Sequence, residues 1–370
     1  MKFASVVTGT STDGLSISLL EINGWDETTR VRVLQHVEFP FSDSLREMLL
    51  KVSTMKPLTS EEFSEAHWYL GRFVGESLGI LDWDYDVVAF SGYTVFHGPS
   101  LGKRDKGTLQ IGEPSEIFSR TRKTVIFDFR TTDLSMGGDG APLIPLSDKL
   151  LFGEEGTVTL NIGGISNITY IGDRLIAFDT GPGNMLIDTF MKKFTGRDYD
   201  ENGEFAGGGS INEALLMKLL DDDYFRKSPP KSTGREYFTE DYVQKRISEE
   251  DVPQKDVIRT LTRFTAESIK DQMDRFIPHR IGTIIVGGGG SFNPVLMKDL
   301  ADLFSVKVER FSDHGIDDKA REGVGFAVIA NQTLHNRIGN TEASGGKPAV
   351  LGKILPGDNY FQLLNEIKNL

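Results

Sequence analysis

The sequence predicts an α/β protein with a duplicated core, folded as two lobes. Three observations lead there. Three short β-branched runs followed by a helical segment occur twice, once at the N-terminus and again from Thr157. A glycine-containing turn falls at the equivalent place in both passages, between the first two runs. The length of 370 residues exceeds what one hydrophobic core usually serves, which favours two domains.

In the first passage the runs are Phe3 to Val7, Leu15 to Ile22 and Val31 to Phe39, with a helix near Ser44 to Val52. Apolar alternation is clearest in the third run. Thr59-Ser60-Glu61-Glu62 matches a capping box, and Phe63, Ala66, Leu70, Phe73, Val74 and Leu78 then fall on one helical face. Val87 to Phe90 and Thr124 to Phe127 read as buried strands. The second passage has runs Thr157 to Ile162, Ile168 to Ile171 and Leu175 to Phe178, then a helix from about Met185 to Phe194. Asp256 to Phe276 reads as a long amphipathic helix. Thr283 to Val286 is a strand running into Gly287 to Gly290, followed by a helix over Asn293 to Leu303. A last long helix spans Lys319 to Leu334, and Asn336 to Pro348 is loop or hinge by composition. The tail, Val350 to Leu370, is expected to return to the first domain and close it.

Composition narrows the function. With 38% hydrophobic and 26% charged residues the chain is ordinary globular material. It has no cysteine, which excludes disulfides, thiol catalysis and Cys-ligated zinc. No apolar run reaches the roughly 18–20 residues that span a bilayer. The stretch Met1 to Thr8 is too short and too weakly basic for a signal peptide, so a cytoplasmic location is expected. The net charge of −13, with no basic stripe, argues against nucleic acid as a partner.

Three glycine loops stand out by placement. They are Thr8-Gly9-Thr10-Ser11-Thr12-Asp13-Gly14, Asn161-Ile162-Gly163-Gly164-Ile165-Ser166-Asn167, and Gly287 to Gly290. Glycine lets backbone amides approach a phosphate without Cβ interference, and helix N-termini add donors. A tight hairpin turn explains any one of them alone; paired loops in a duplicated core point to a polyphosphate grip. No GxxxxGK[ST] pattern occurs, and Phe292 stands where a dinucleotide motif needs its third glycine.

The densest polar loop is Phe178-Asp179-Thr180-Gly181-Pro182-Gly183-Asn184. A carboxylate there serves as a general base or metal ligand, or caps a turn, and spacing does not choose between these. Arg130 ends another strand, as a carboxylate clamp or a surface ion pair. Lys231 to Phe238 is a cationic loop or a solvated turn, and Glu322 is aimed at a site or complements its helix N-terminus. His67 and His97 lack metal-ligand spacing and read as structural or substrate-edge residues.

Taken in order, these motifs resemble the anhydro-N-acetylmuramic acid kinase family. To the loops above are added Leu109-Gln110-Ile111-Gly112, Asp128-Phe129-Arg130 with Asp133, Gly137 to Leu143, and Asn293-Pro294. The resemblance spans nearly the whole chain. It implies the ribonuclease-H-like fold of actin-like ATPases and sugar kinases, duplicated around a nucleotide cleft. It also implies ATP, Mg²⁺, a small-molecule sugar substrate and a homodimer. In the family reaction, water attacks the anomeric carbon of a 1,6-anhydro sugar while O6 takes the γ-phosphoryl group. Carried over by position, Asp179 is the catalytic base and Glu322 a second active-site carboxylate. Nucleotide contacts are implied for Gly9, Thr10, Ser11, Asp13, Gly14, Asn161, Gly163, Gly164, Gly181, Gly288, Gly289, Gly290 and Asn293. Substrate contacts are implied for Ser91, Tyr93, Thr94, Arg130, Lys231 and Arg235, and metal contacts for Asp13 and Glu322.

The expected lobes are 1–133 with 350–370, and 134–349, joined through Ser135 to Pro145 and Asn336 to Pro348 and closing on ligands. Ser91 and Tyr93 stand where the family has His and Gln, so a shifted preference among anhydrosugars is expected. Two alternatives remain: a kinase of a different sugar, and a non-catalytic actin- or Hsp70-like nucleotide-binding protein. Retention of Asp179 and Glu322 speaks against the second.

Overall fold

The computed structural model describes residues 1–8, 12–54, 57–98, 107–234, 237–247, 252–277 and 280–368. It divides into two compact units, Met1–Phe152 with Ala320–Leu370, and Gly153–Lys319.

The strands of the first unit are β1 (Lys2–Thr8), β2 (Gly14–Asn23), β3 (Arg30–Pro40), β4 (Val87–Phe90), the β5 (Tyr93–Gly98) and β6 (Gly107–Ile111) hairpin, and β7 (Thr124–Phe127). β1, β2 and β3 form an antiparallel meander, and β4 and β7 continue the sheet in parallel beyond β1. Burial explains their sequences. β4 is covered on both faces and reads as a continuous Val-Val-Ala-Phe run, whereas edge strand β3 keeps a wet face and alternates. Leu45, Leu49 and Val52 of helix Asp43–Ser53 pack with Ala66, Leu70, Val74 and Leu78 of helix Ser60–Ile80 over Ala4, Val6, Leu15 and Ile17. The expected capping box is formed: Glu62 N–H donates to Thr59 Oγ1 at 3.2 Å, and Thr59 N–H to Glu62 Oε2 at 2.8 Å.

Ser5 points to the opposite face from Ala4 and Val6, and its hydroxyl donates to Gly323 O at 2.7 Å. Helix Arg321–Leu334, buried along most of its length, packs there. Helix Ile144–Phe152 joins it through Arg321 Nη2 donating to Asp148 Oδ2 at 2.8 Å. The expected boundaries after 133 and before 350 therefore differ from the observed units. Both helices, and the Ser135–Pro145 segment expected as a linker, belong to the first unit. No shift in composition marks Phe152 or Lys319; the divide is set by which sheet these helices cover.

In the second unit β8 (Thr157–Ile162), β9 (Ile165–Ile171) and β10 (Ile176–Pro182) form the meander, and β11 (Thr283–Gly287) and β12 (Lys307–Arg310) run parallel beyond β8. The orders β3-β2-β1-β4-β7 and β10-β9-β8-β11-β12 are the same arrangement twice, as the duplicated ribonuclease-H-like reading requires. Helix Gln254–Phe276 seats Ala266, Ile269 and Met273 against Val158, Leu160, Ile168 and Phe178, and helix Pro294–Leu303 adds Leu296 and Leu300. The tail supplies β13 (Lys353–Leu355), antiparallel to β7 in the first sheet, as expected. Arg122 forks onto Asp358 with two 2.9 Å bonds, and Asn359 Oδ1 accepts from Thr124 N–H at 3.1 Å. Among the described residues no helix is long and apolar enough to cross a membrane.

Candidate active site

In the second unit the turn after β8 is held by main chain. Gly163 N–H donates to Ile165 O at 3.1 Å. Gly183 and Met185 N–H donate to Gly164 O at 2.8 and 3.2 Å, and Asn184 N–H to Gly163 O at 2.8 Å. A Cβ on Gly183 would lie 2.3 Å from Gly163 O, so this contact needs glycine. Beside it, Gly288 leaves β11 at φ +81°, and a Cβ there would sit 2.7 Å from both Asn161 Oδ1 and Ile162 O. Gly164 and Gly289 are exposed, and helices Met185–Thr195 and Pro294–Leu303 begin next to these turns. Exposed glycine backbone beside the start of helix Met185–Thr195 suits phosphate oxygens.

Not every expected nucleotide contact is available. Asn293 caps its helix, its Oδ1 accepting from Val295 and Leu296 N–H at 3.0 and 3.2 Å. Gly181 has φ +144°, and a Cβ there would come 3.0 Å from the Phe225 ring, so packing also demands this glycine. Gly14 is required by β3, since a Cβ would meet Phe39 O at 2.2 Å. Gly9, Thr10, Ser11 and Arg235 lie outside the described residues.

The sequence ends the third strand at Phe178; β10 instead runs on to Pro182, with an irregularity between Asp179 and Gly181. Such bulges re-aim side chains beside functional sites. Thr180 is fully buried, its hydroxyl 2.6 Å from Ser166 Oγ. Asp179 is half-buried; its Oδ2 accepts from Thr233 N–H at 3.0 Å, its N–H donates to Lys231 O at 3.2 Å, and its carbonyl accepts from Tyr224 OH at 2.6 Å. Burial pushes its carboxyl up to about 6, and the Thr233 amide pulls the other way.

Lys231, expected to touch substrate, spends its ammonium on protein. Nζ bonds Gln272 Oε1 and donates to Tyr224 O at 3.2 Å. It lies 4.7 Å from the Tyr224 ring centroid and 5.0 Å from that of Phe276.

In the first unit Arg130 Nη1 donates to Gly140 O at 2.8 Å. Gly140 is held in turn by Asp133, which is completely buried. Its Oδ2 accepts from Gly140 N–H at 2.8 Å, and its Oδ1 accepts from Asn340 Nδ2 at 2.6 Å and Ser344 Oγ at 2.7 Å. Burial holds the Arg130 guanidinium down while Glu322 favours its charged form. Burial pushes the Glu322 carboxyl up, and Arg130 and Arg321 pull it down. Glu322 opens to solvent at the start of its helix. His97, which the sequence marks as structural or substrate-edge, joins this group. Its Nδ1 is 3.1 Å from Thr108 Oγ1, and burial, then Arg130, push the imidazole down while Asp139 opposes.

An open recess in the same unit is lined by Ser91, Gly92, Gln110, Gly112, His67, Phe127 and Asp128, among others. Ser91 thus lies on it, and Gln110 Nε2 reaches Thr94 Oγ1 at 3.4 Å. Tyr93 does not line it. It is 4% exposed in the core, and its hydroxyl bonds Thr12 Oγ1 at 2.9 Å and Ser53 Oγ at 3.3 Å. Thr8 Oγ1 donates to Gly92 O at 2.7 Å. Asp13 is exposed and pairs with Arg46 at 3.2 Å. No cluster of three or more His, Asp or Glu side chains arranged for a metal occurs among the described residues.

Residues 1–357 match the family described as anhydro-N-acetylmuramic acid kinase. The anhydro-N-acetylmuramic acid kinase of Caldanaerobacter subterraneus subsp. tengcongensis is 35% identical over 377 residues, spanning 94% of this chain and 95% of that one. The protein of that name from Clostridioides difficile is 34% identical over 377 residues, with 96% and 98% covered. That from Bacillus cereus is 33% identical over 379 residues, with 96% and 98% covered.

Proposed function

The chain belongs to the anhydro-N-acetylmuramic acid kinase family, a family of phosphotransferases, and from that premise we propose that it opens a 1,6-anhydro sugar with water and phosphorylates O6 from ATP. The substrate is 1,6-anhydro-N-acetylmuramic acid or a close relative. The observation that carries this reading is Asp179: a half-buried carboxylate on a strand irregularity, with its carboxyl raised to about 6. A base of that strength is ionised at neutral pH and still accepts a proton well.

Asp179 takes a proton from water as the water oxygen bonds to the anomeric carbon. The bridging bond from that carbon to O6 breaks, and O6 accepts the γ-phosphoryl group, leaving ADP. The Gly164 amide and the amides of the Gly288–Gly290 turn hold phosphate oxygens. Arg130, fixed by Gly140 O, receives a carboxylate on the substrate, such as a lactyl group. Ser91 and Gln110 offer polar contacts from the recess. Mg²⁺ needs only one or two protein carboxylates beside ATP phosphates, and supplies charge neutralisation when bound. Glu322 fits that demand, being open to solvent; Asp13 fits less well because Arg46 already pairs with it. The preference for another anhydrosugar now rests on Ser91, which lines the recess, since Tyr93 is turned into the core.

Asp179→Asn is expected to keep ATP affinity by calorimetry and to lower turnover by roughly 10²–10⁴-fold. Near-normal turnover would make Asp179 structural. In the wild type kcat should fall as pH drops through about 6, where the carboxyl takes up its proton. Stability runs the other way. The folded carboxyl titrates above its ordinary 3.8, so its contribution is fully present below that value and is lost as pH rises through about 6. Asp179→Asn should therefore melt higher than wild type at pH 8, with the difference closing toward pH 4.

A further inference from the structure

We infer that Lys231 is a positioning residue for Asp179: its ammonium anchors the segment whose Thr233 amide holds the carboxylate. This rests on Asp179 being the base.

Two hydrogen bonds tie Asp179 to this segment, one from its own N–H to Lys231 O and one from Thr233 N–H to its Oδ2. Residues 227–234 lie in no helix or strand, so no regular ladder holds them in place. The Lys231 side chain supplies the missing anchor. Its ammonium sits against the Tyr224, Phe276 and Phe178 rings, at 4.7, 5.0 and 5.8 Å from their centroids. Gln272, which receives it, is completely buried and itself locked, its Nε2 donating to Phe225 O at 3.0 Å and Asp271 Oδ2 at 2.7 Å. With the amide nitrogen so engaged, the amide oxygen is left facing Lys231. Tyr224 serves both ends: its carbonyl accepts from Lys231 Nζ, and its hydroxyl donates to Asp179 O.

Taking a cation out of water is costly, and here burial pushes the ammonium down to about 8. Asp271 opposes that shift, while Arg275 and Lys227 add to it. A purely apolar side chain would fill the same space without that cost. What the ammonium adds is a fixed end for the main chain two residues before Thr233. Loss of the anchor frees the Thr233 amide, which is the hydrogen bond that keeps Asp179 from titrating still higher. The titratable groups facing this assembly are Asp179, Tyr224, Tyr237, Asp271, Lys227 and Arg275.

The test is the pH dependence of kcat in the full-length enzyme carrying Lys231→Met, which keeps the stem and drops the charge. Turnover is expected to fall roughly 10-fold or more, as small displacements of a catalytic group do. The ATP KM should stay within about 2-fold, and the acid limb should move to higher pH. Lys231→Arg, which restores a cation to the rings, should bring the limb back toward wild type. If Lys231→Met does not fold, Gln272→Leu removes the receiving oxygen and is read on the same limb. An unchanged turnover and limb in a folded variant, with Asp179→Asn inactive, overturns this inference alone. An active Asp179→Asn overturns the reading of the base itself.

Discussion

The β8–β9 and β1–β2 pairs occupy equivalent places in two copies of one topology, yet the described residues at their linking ends carry different bonds. The first takes its support from main-chain amides of Gly183, Asn184 and Met185. At the ends of the second, hydroxyls take part as well: Thr8 Oγ1 donates to Gly92 O, and Thr12 Oγ1 lies 2.9 Å from Tyr93 OH. A main-chain brace is indifferent to most side chains but closes only where no Cβ intrudes. A hydroxyl brace depends on residue identity and can be weakened one bond at a time. Duplication has preserved the topology and left the means of support free to diverge.

The sharpest way to break the main-chain brace is Gly183→Ala. Its Cβ would stand 2.3 Å from Gly163 O, a backbone atom that cannot rotate away. We expect a cost of about 3 kcal/mol. ATP affinity by calorimetry should drop as well, by roughly 10-fold or more, because the turn must shift to admit the Cβ and carries its phosphate-facing amides with it. In the first unit, Asp133→Asn turns an amide group toward donors that now all find acceptors. A loss of about 2 kcal/mol in thermal denaturation is expected. The KM should rise more for an anhydrosugar bearing a carboxylate than for one without, because Gly140 also holds Arg130. The smallest effect belongs to Tyr93→Phe, which removes one hydroxyl from the Thr12 brace. About 1 kcal/mol of stability and at most about a 5-fold change in the ATP KM are expected. A Tyr93→Phe enzyme as impaired as Gly183→Ala would erase the distinction between the two braces.

Period and glycine placement made the strands, the hairpins and the Asp179 turn legible in the sequence. β3 alternates because one face is wet, and β4 is continuous because both faces are dry. The Asn293 cap could also have been read, since Asn before Pro at a helix start is the usual N-cap signature. The destinations of long polar side chains could not. Lys231 finds Gln272 across 41 residues, and Tyr93 finds Thr12 across 81. Both choices depend on how the elements pack, which local pattern does not encode. The unit boundary lies elsewhere than expected for the same reason: helix Arg321–Leu334 is buried on nearly every side, so its sequence names no sheet, while small Ser5 and Ser18 face its Gly323 in the first.

The pairing of β13 with β7 has a consequence in time. Thr124 waits for Asn359, 235 residues further along, and Gly153–Lys319 lies wholly between them. A ribosome adding roughly 5–20 residues per second takes on the order of 10–50 seconds to cover that distance. Throughout that interval the outer edge of β7 has no partner strand, and every strand of the later unit is made before that partner emerges. The unit that starts first is thus finished last. Its bare edge is the place where a nascent or prematurely ended chain is most open to pairing with another copy of itself.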